Sequence, residues 1–345
     1  MQRQGIQEGR ERGEGRGHDD ARPEGRGEEG VTPAIGVDLG GTRIRVGAVG
    51  ADGQLLARLQ RRTEAHRGVE AVLDTLYDAV SEVCASVRDV AGVGIACAGQ
   101  IRPDDGVVVQ APNLGWRDVP LAARVGARLQ VPVVLENDVR AAAWGEFAFG
   151  AGRGAHSLLA VFVGTGVGSG AVLGGRLWRG AGNVAGEVGH TQVVVDGLLC
   201  RCGQRGCLEQ YVSGNGFQRR LDAAITSGVT TRLADVTGGD ATRLTAPMVW
   251  TAAAAGDDFA REIVRDAERY LALGIANYVT VVNPERLVFG GGVVESVPAL
   301  LDAAVPALLA RTTVLARASI AVERAKLGEW SGVVGAAALA RPAST

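Results

Sequence analysis

The sequence predicts an α/β protein with two domains, each built around a mixed sheet, and a cleft between them. The clearest observation is a repeated unit: an apolar strand, a Gly-Thr turn and a returning strand occur twice, with Thr42 and Thr165 as equivalent points. The second observation is length, because 345 residues are enough for two domains of ordinary size. The third is composition, since 46% of the residues are hydrophobic and 21% are charged, which is typical of a globular chain.

The first domain is predicted to span residues 31–137 and to include a closing helix at about 332–341. Short apolar or alternating runs indicate strands, and apolar residues at helical spacing indicate helices. The predicted elements are an apolar strand ending in a Gly turn over 34–42, strands over 43–49, 54–61, 90–96 and 131–135, and helices over 68–88 and 332–340.

The second domain is predicted to span residues 138–331 and to repeat this order. Its first strand, over 157–163, leads into a Gly-rich turn over 164–170. The other predicted elements are helices over 138–149 and 258–283, a returning strand over 171–173, and a strand over 286–289 followed by a third Gly cluster, Gly290–Gly292.

Residues 1–30 differ from both domains. They contain eight Gly, six Arg and eight acidic residues but only three apolar residues. Such a segment cannot bury enough apolar surface to offset the entropy of ordering. We therefore predict a disordered tail.

Charge and hydropathy exclude several classes of protein. The formal net charge of −2 gives no general attraction to nucleic acid or to anionic membranes. No apolar run approaches the ~18–20 residues of a membrane-spanning helix, and the N-terminus has no apolar leader. The five Cys are an odd number with three of them close together, unlike a disulfide framework. We expect reduced thiols, a cytoplasmic location, and no nucleic-acid or membrane partner.

Two Gly-rich turns are candidates for phosphate binding, because Gly exposes backbone N–H groups and lets a ligand approach closely. They are Asp38–Thr42 and Gly164–Gly170, and Asp38 is also a candidate ligand for Mg²⁺. The only Lys is Lys326, so the sequence contains no Walker A loop. One such turn alone would be read as a plain β-hairpin, but two turns and a third Gly cluster favour phosphate binding.

Asn137 and Asp138 lie between a predicted strand and a predicted helix. Ligands of open α/β sheets bind at the carboxyl ends of strands. Phosphoryl transfer to an alcohol requires a carboxylate that accepts the hydroxyl proton, and Asp138 is the candidate. Asn137 would hold a neighbouring hydroxyl. The same pair is also typical of a helix N-cap, so from the residues alone both interpretations stay open.

Four residues supply one nitrogen and three sulfur atoms, namely His190, Cys200, Cys202 and Cys207. A Cys₃His set is typical of a closed, tetrahedral zinc site. The Cys-x-Cys spacing is tighter than in common zinc fingers, so spacing alone leaves free thiols or redox chemistry open.

In combination, these motifs resemble a known superfamily. Asp38–Thr42 with Gly164–Gly168 resembles the actin-like sugar kinases. Further motifs resemble the ROK family (repressors, open reading frames, kinases) within it, and these are Pro112–Trp116, Glu136–Asp138, Glu187–His190 and Cys200–Glu209. The resemblance runs from about residue 34 to about 341. Within the family the chain is most similar to bacterial glucokinases, notably over Cys207–Gly214.

The resemblance implies a fold, an activity and a set of cofactors. The fold would be a pair of duplicated actin-like ATPase (ribonuclease H-like) domains with an interdomain cleft. The activity would be ATP-dependent phosphorylation of a hexose, with D-glucose favoured. The cofactors would be ATP, Mg²⁺ and a structural Zn²⁺, and the chain would form a homo-oligomer, either a dimer or a tetramer.

The resemblance also implies residue roles. The catalytic base would be Asp138. The sugar would be bound by Asn113, Asn137, Asp138, Glu187, His190 and Glu209. ATP would be bound by Asp38, Gly40, Gly41, Thr42, Gly164, Thr165, Gly166, Gly168, Gly291 and Gly292. Zinc would be bound by His190, Cys200, Cys202 and Cys207.

Two positions depart from the family pattern, and other functions stay open. Ala96–Gly99 replaces a Pro-containing turn, and Ser169 replaces a Gly, which predicts an added hydroxyl near phosphate. Relatives phosphorylate fructose, mannose, allose, N-acetylglucosamine or N-acetylmannosamine, polyphosphate is an alternative donor, and others are sugar sensors or repressors. The 33 residues before Ala34 lack the apolar residues of a helix-turn-helix domain, which favours an enzyme over a repressor.

Overall fold

The computed structural model describes residues 32–341 of the chain. The predicted tail, residues 1–30, lies outside the described residues. The strands are β1 (Ala34–Leu39), β2 (Arg43–Val49), β3 (Leu55–Arg62), β4 (Val93–Cys97), β5 (Gln100–Arg102), β6 (Val107–Ala111), β7 (Trp116–Val119), β8 (Val133–Asn137), β9 (Leu158–Val163), β10 (Val167–Leu173), β11 (Arg176–Trp178), β12 (Arg286–Gly290) and β13 (Ala321–Arg324).

The helices lie between these strands and after the last of them, and α4 to α8 follow one another with no strand between. They are α1 (Val69–Cys84), α2 (Leu121–Leu129), α3 (Asp138–Phe149), α4 (Glu209–Val212), α5 (Gly214–Thr226), α6 (Arg232–Thr237), α7 (Ala246–Ala254), α8 (Asp258–Val282), α9 (Gly292–Ser296), α10 (Pro298–Leu309), α11 (Val314–Ser319) and α12 (Ser331–Leu339). No helix among the described residues is both long and apolar enough to cross a membrane.

Two five-stranded sheets have the same topology. The first has the order β3-β2-β1-β4-β8, and the second has the order β11-β10-β9-β12-β13. In each sheet the first three strands pair antiparallel and the last two extend the sheet in parallel. This duplicated ribonuclease H-like arrangement is the actin-like ATPase fold, so the predicted fold class is confirmed.

The most periodic elements were predicted within a few residues, including α1, α3, α8 and α12. The prediction of a turn over 164–170 was wrong in length. Strand β10 begins at Val167, and Gly168 pairs with Phe162 inside the sheet. A Cβ at Gly168 would lie 2.7 Å from the Val139 side chain, so this Gly allows β10 to pack against α3. The small sheet β5-β6-β7 was not predicted.

Helix α3 connects the two sheets and crosses α12 at close range. A Cβ at Gly335 of α12 would overlap the carbonyl oxygen of Ala141, and one at Gly145 would lie 2.7 Å from the carbonyl oxygen of Ser331. Only Gly allows the two backbones to approach this closely. Because α12 also packs on β1 and β4, the crossing fixes the start of α3 relative to the first sheet.

The far end of α3 is fixed by a buried carboxylate. Glu146 is fully buried and accepts hydrogen bonds from the N–H groups of Ala151 at 2.8 Å, Lys326 at 3.0 Å and Leu327 at 2.8 Å. These bonds replace the water that the carboxylate loses on burial. They attach α3 to the segment that leads from the second sheet into α12.

We predict that Gly335→Ala lowers the free energy of unfolding by about 1–3 kcal/mol, the usual cost of overpacking. The matched control is Gly126→Ala, because a Cβ at Gly126 of α2 would meet its nearest neighbour at an ordinary 3.6 Å. The control should be neutral or stabilising by about 0.5–1 kcal/mol. Denaturant titration measures both, and equal stability of the two variants would contradict the close crossing.

Candidate active site and metal centre

Asp138 is the first residue of α3, at the carboxyl end of β8. The helix begins there because the Asn137 side chain accepts hydrogen bonds from the N–H groups of Val139 and Arg140, both at 3.1 Å. The Asn137 amide also donates to the Asp138 carboxylate at 2.9 Å and to the Gly99 carbonyl at 3.4 Å. The N-cap interpretation is therefore confirmed, and Asn137 must exchange one of these bonds to bind a sugar hydroxyl.

A second carboxylate, Asp38, faces the same site from β1. Its partner Arg45 lies at 3.0 Å and also pairs with Glu329 at 3.1 Å. Burial raises the pKa of Asp38, although Arg45 opposes the rise. Burial also raises the pKa of Asp138 to about 6, and the negative charges of Asp38 and Glu187 add to this effect. The charges of two other carboxylates thus act on Asp138, and a divalent cation would relieve this repulsion.

A buried ion pair that sequence analysis missed supports this site. The side chains of Glu136 and Arg140 lie 2.7 Å apart and are 2% and 3% exposed. Glu136 also accepts a hydrogen bond from Arg179 at 2.6 Å. Arg140 donates to the backbone carbonyl of Asn183 at 2.9 Å, and the Asn183 amide donates to the Ile101 carbonyl at 2.8 Å. The network joins β8 and α3 to the hairpin of β5 and to the loop before the predicted sugar-binding turn.

The first Gly-rich turn, Gly40–Thr42, contacts the segment that carries Asn113. A Cβ at Gly41 would lie 2.6 Å from the carbonyl oxygen of Asn113, so Gly permits the contact. Thr42 and Asn113 are both exposed. The structure therefore brings the predicted phosphate turn and a predicted sugar-binding residue together.

The second turn, Gly164–Gly166, contacts Glu209 at the start of α4. The Glu209 carboxylate accepts a hydrogen bond from the Val167 N–H at 3.0 Å, and a Cβ at Gly166 would lie 2.6 Å from the same carboxylate. Glu209 was predicted to bind sugar, and it lies at the predicted phosphate turn. It already occupies the N–H group of the residue that directly follows that turn.

The third Gly cluster adjoins the second turn. A Cβ at Gly164 would lie 3.7 Å from the backbone nitrogen of Gly292. Gly291 has a φ of 94°, and a Cβ there would lie 2.6 Å from the carbonyl oxygen of Val163. Gly291 and Gly292 therefore adjoin the second turn, in which Thr165 is exposed.

Glu187 and His190 lie on one exposed turn beside β10. The predicted role of Ser169 was wrong. Its buried hydroxyl donates to the carbonyl oxygen of Gly186 at 2.8 Å. It therefore supports the turn that carries Glu187 and does not supply a hydroxyl to a phosphate.

The four predicted zinc ligands converge. The ligand atoms of His190, Cys200, Cys202 and Cys207 all lie within 4.8 Å of one another. The sulfur atoms of Cys202 and Cys207 are 3.7 Å apart, and His190 Nδ1 is 3.6 Å from the sulfur of Cys200. Tetrahedral zinc with bonds of about 2.3 Å to sulfur and 2.0 Å to nitrogen gives separations of about 3.8 and 3.5 Å. The donor set therefore fits zinc in chemistry, and these two separations fit it in size.

The loop between these ligands folds tightly because two of its residues are Gly. Gly203 and Gly206 have φ values of 90° and 75°, which favour Gly. Burial raises the pKa of the Cys200 thiol and raises that of Cys207 to about 12. Without a cation these two thiols would stay protonated, so metal binding must displace their protons.

We predict that Asp138→Asn raises the melting temperature at pH 7.5. In the unfolded chain Asp138 ionises near 3.8, and in the folded chain it ionises near 6. Ionisation of this acid therefore destabilises the folded state above pH 6 and has no such effect below the unfolded value. The neutral Asn avoids this cost, which is about 1–3 kcal/mol.

The stabilisation by Asp138→Asn should shrink as the pH falls towards 4. The control is Asp302→Asn, because the Asp302 side chain is 75% exposed and its ion pair is long, at 3.6 Å. Scanning calorimetry from pH 4 to 8 measures both. An Asp138→Asn variant less stable than the wild type at pH 7.5 would show that the carboxylate is favourably solvated.

Comparison with known proteins identifies the family of this chain. Residues 34–343 match the ROK family. The chain is 37% identical to the glucokinase of Streptomyces coelicolor over 315 residues, which cover 89% of this chain and 97% of that protein.

Two solved structures are similar in fold and sequence. A ROK family glucokinase from Streptomyces griseus, in complex with glucose and AMPPNP, is 36% identical with a TM-score of 0.74, covering 89% of this chain and 98% of that chain. A ROK hexokinase from Thermus thermophilus is 31% identical with a TM-score of 0.75, and the match covers 89% of this chain and 97% of that chain. With its duplicated sheets, its paired Gly-rich turns and its Cys₃His cluster, the chain belongs to the ROK family.

Proposed function

We propose that this protein is an ATP-dependent hexose kinase and that its preferred acceptor is D-glucose. The observation that carries the proposal is the position of Asp138. This carboxylate lies at a strand end beside Asp38 and Glu187, and its raised pKa of about 6 suits a base that works near neutral pH. Glucokinases and a hexokinase among the similar proteins support the choice of substrate.

In the proposed reaction the acceptor hydroxyl oxygen attacks the γ-phosphorus of ATP, and ADP leaves. The Asp138 carboxylate accepts the hydroxyl proton and directs the oxygen. The Gly40–Thr42 and Gly164–Gly166 turns bind the phosphates through backbone N–H groups, with Gly291 and Gly292 beside them. Mg²⁺ would neutralise phosphate charge, and Asp38 would hold it directly or through water.

The sugar lies, in this proposal, between Asn113 and the turn of Glu187 and His190. The amide and carboxylate suit a polyol, whose hydroxyl groups both donate and accept. Nδ1 of His190 faces Cys200, so its other ring nitrogen can donate to a sugar hydroxyl. A structural zinc ion would fix that tautomer and ring orientation.

The remaining assignments are part of the same proposal. We propose two domains, residues 31–137 with about 332–341 and residues 138–331, which close on the substrates and exclude water. We also propose a cytoplasmic protein that assembles as a dimer or tetramer.

The proposed activity is tested by sugar-phosphate formation with a panel of hexoses and N-acetylhexosamines, using ATP or polyphosphate as donor, and by ADP release where ATP is the donor. We expect ADP release that depends on sugar and is fastest with glucose. A faster rate with another sugar would change the substrate. No turnover with any sugar and either donor would contradict a kinase and favour a sugar sensor.

We predict that Asp138→Asn keeps sugar binding but lowers kcat by about 10²–10⁴-fold, the usual contribution of a general base. In the wild type, kcat/KM should fall as the pH falls through about 6, because the base becomes protonated. Asp302→Asn serves again as the control and should leave kcat unchanged. Steady-state kinetics and calorimetric titration with glucose make the comparison, and a kcat within threefold of wild type would contradict the role of Asp138.

We predict that Cys202→Ser yields a folded protein without zinc, with a sharply raised KM for the sugar and little activity. The control is Cys84→Ser, since Cys84 is a half-buried residue at the end of α1 and takes no part in the cluster. Elemental analysis, circular dichroism and kinetics separate loss of metal from loss of fold. Fully active wild-type protein without zinc would refute this prediction.

A further inference from the structure

A polar relay lies behind the sulfur of Cys200. The side chain of Gln210, on α4, is buried, and its Nε2 group donates to the Cys200 sulfur at 3.2 Å. The Oε1 atom of the same amide accepts a hydrogen bond from Nε of Arg219, on α5, at 2.9 Å. The relay thus runs from a guanidinium through an amide to a proposed metal ligand.

The chemistry of Arg219 determines the direction of this relay. A guanidinium only donates hydrogen bonds, so the Gln210 oxygen must face Arg219 and the Gln210 NH₂ group must face Cys200. The sulfur is therefore the acceptor. A metal-bound thiolate is a stronger hydrogen-bond acceptor than a thiol, so a donor aimed at this sulfur suits Cys200 as a metal ligand.

The charge of Arg219 has no carboxylate within ion-pair distance in the part of the chain that the structure describes. Its Nη1 and Nη2 atoms are buried without a hydrogen-bond partner among the residues that the structure describes. An uncompensated buried cation is costly. A divalent ion bound by three thiolates and a neutral imidazole carries a net charge of −1, which supplies a counter-charge on the other side of Gln210.

We propose that Gln210 and Arg219 form an outer layer of the Cys₃His centre and stabilise its metal-loaded form. Arg219 compensates the negative charge of the loaded centre, and Gln210 orients the Cys200 thiolate. Both are positioning residues for the metal and do not touch the substrates. The inference rests on the proposed zinc centre, but not on the identity of the sugar.

The test is the affinity of the purified full-length chain for Zn²⁺, measured by competition with a chromophoric chelator at pH 7.5. Arg219→Met should weaken Zn²⁺ binding by about 10–100-fold, the usual effect of losing an outer partner of a metal ligand. Arg219→Lys retains the positive charge, so its affinity for Zn²⁺ should fall less than that of Arg219→Met. Arg261→Met is the matched control, because Arg261 is 56% exposed and pairs with Asp258 on the surface. It should bind Zn²⁺ as the wild type does.

A second variant keeps the test decisive if Arg219→Met does not fold. Gln210→Leu preserves side-chain volume but removes the donor to Cys200. It should weaken Zn²⁺ binding similarly and, with Co²⁺ as a spectroscopic probe, shift the thiolate-to-cobalt charge-transfer band to longer wavelength. A structural role of Gln210 unrelated to the metal would leave that band in place.

The outcomes separate this inference from the proposed function. Weaker Zn²⁺ binding by Arg219→Met and Gln210→Leu, with unchanged binding by Arg261→Met, supports it. Affinities within twofold of the wild type in both variants overturn it and leave the kinase proposal intact. A wild-type chain that binds neither Zn²⁺ nor Co²⁺ overturns the metal centre itself.

Discussion

The buried ion pair between Glu136 and Arg140 is the interaction on which the site depends. It lies where strand β8 passes into helix α3, and it reaches through Asn183 to the loop before Glu187. Removing one partner of such a pair leaves an uncompensated buried charge, which typically costs about 3–5 kcal/mol. The pair therefore attaches the start of α3, which carries Asp138, to the loop before Glu187. Burial raises the pKa of Asp138, and the negative charges of Asp38 and Glu187 add to this effect.

The rest of α3 is held by α12 and by the segment between β13 and α12. Helix α3 crosses α12 at Gly positions, and the buried Glu146 carboxylate holds the segment before α12. At the second Gly-rich turn, the first N–H group of α5 donates to the Gly164 carbonyl at 2.9 Å, while α4 supplies both Glu209 to the turn and Gln210 to the Cys cluster. Short helices thus connect the metal centre with the predicted phosphate turn.

The sequence predicted best those helices and strands whose determinants lie within a few residues along the chain. Helix α3 was predicted at its observed bounds, because an N-cap residue and helical spacing lie within twelve residues. The turn after β9 was predicted to be too long. The Gly-rich composition of residues 167–170 resembles that of a loop, but Gly168 pairs with Phe162 in the hairpin. The Glu136–Arg140–Asn183 network and the Gln210–Arg219 relay were missed, because their partners meet only after folding. The residue types and their spacing predicted the Cys₃His set, but only the structure gives the distances between the ligand atoms.

The most direct test of the account is a crystal structure of the chain with glucose and a non-hydrolysable ATP analogue. A general base must lie about 2.6–3.2 Å from the oxygen whose proton it accepts. The account predicts this distance between the Asp138 carboxylate and the acceptor hydroxyl, with the γ-phosphate on the opposite side of that oxygen. A glucose molecule bound against Glu187 with none of its hydroxyl groups within reach of Asp138 would contradict the account.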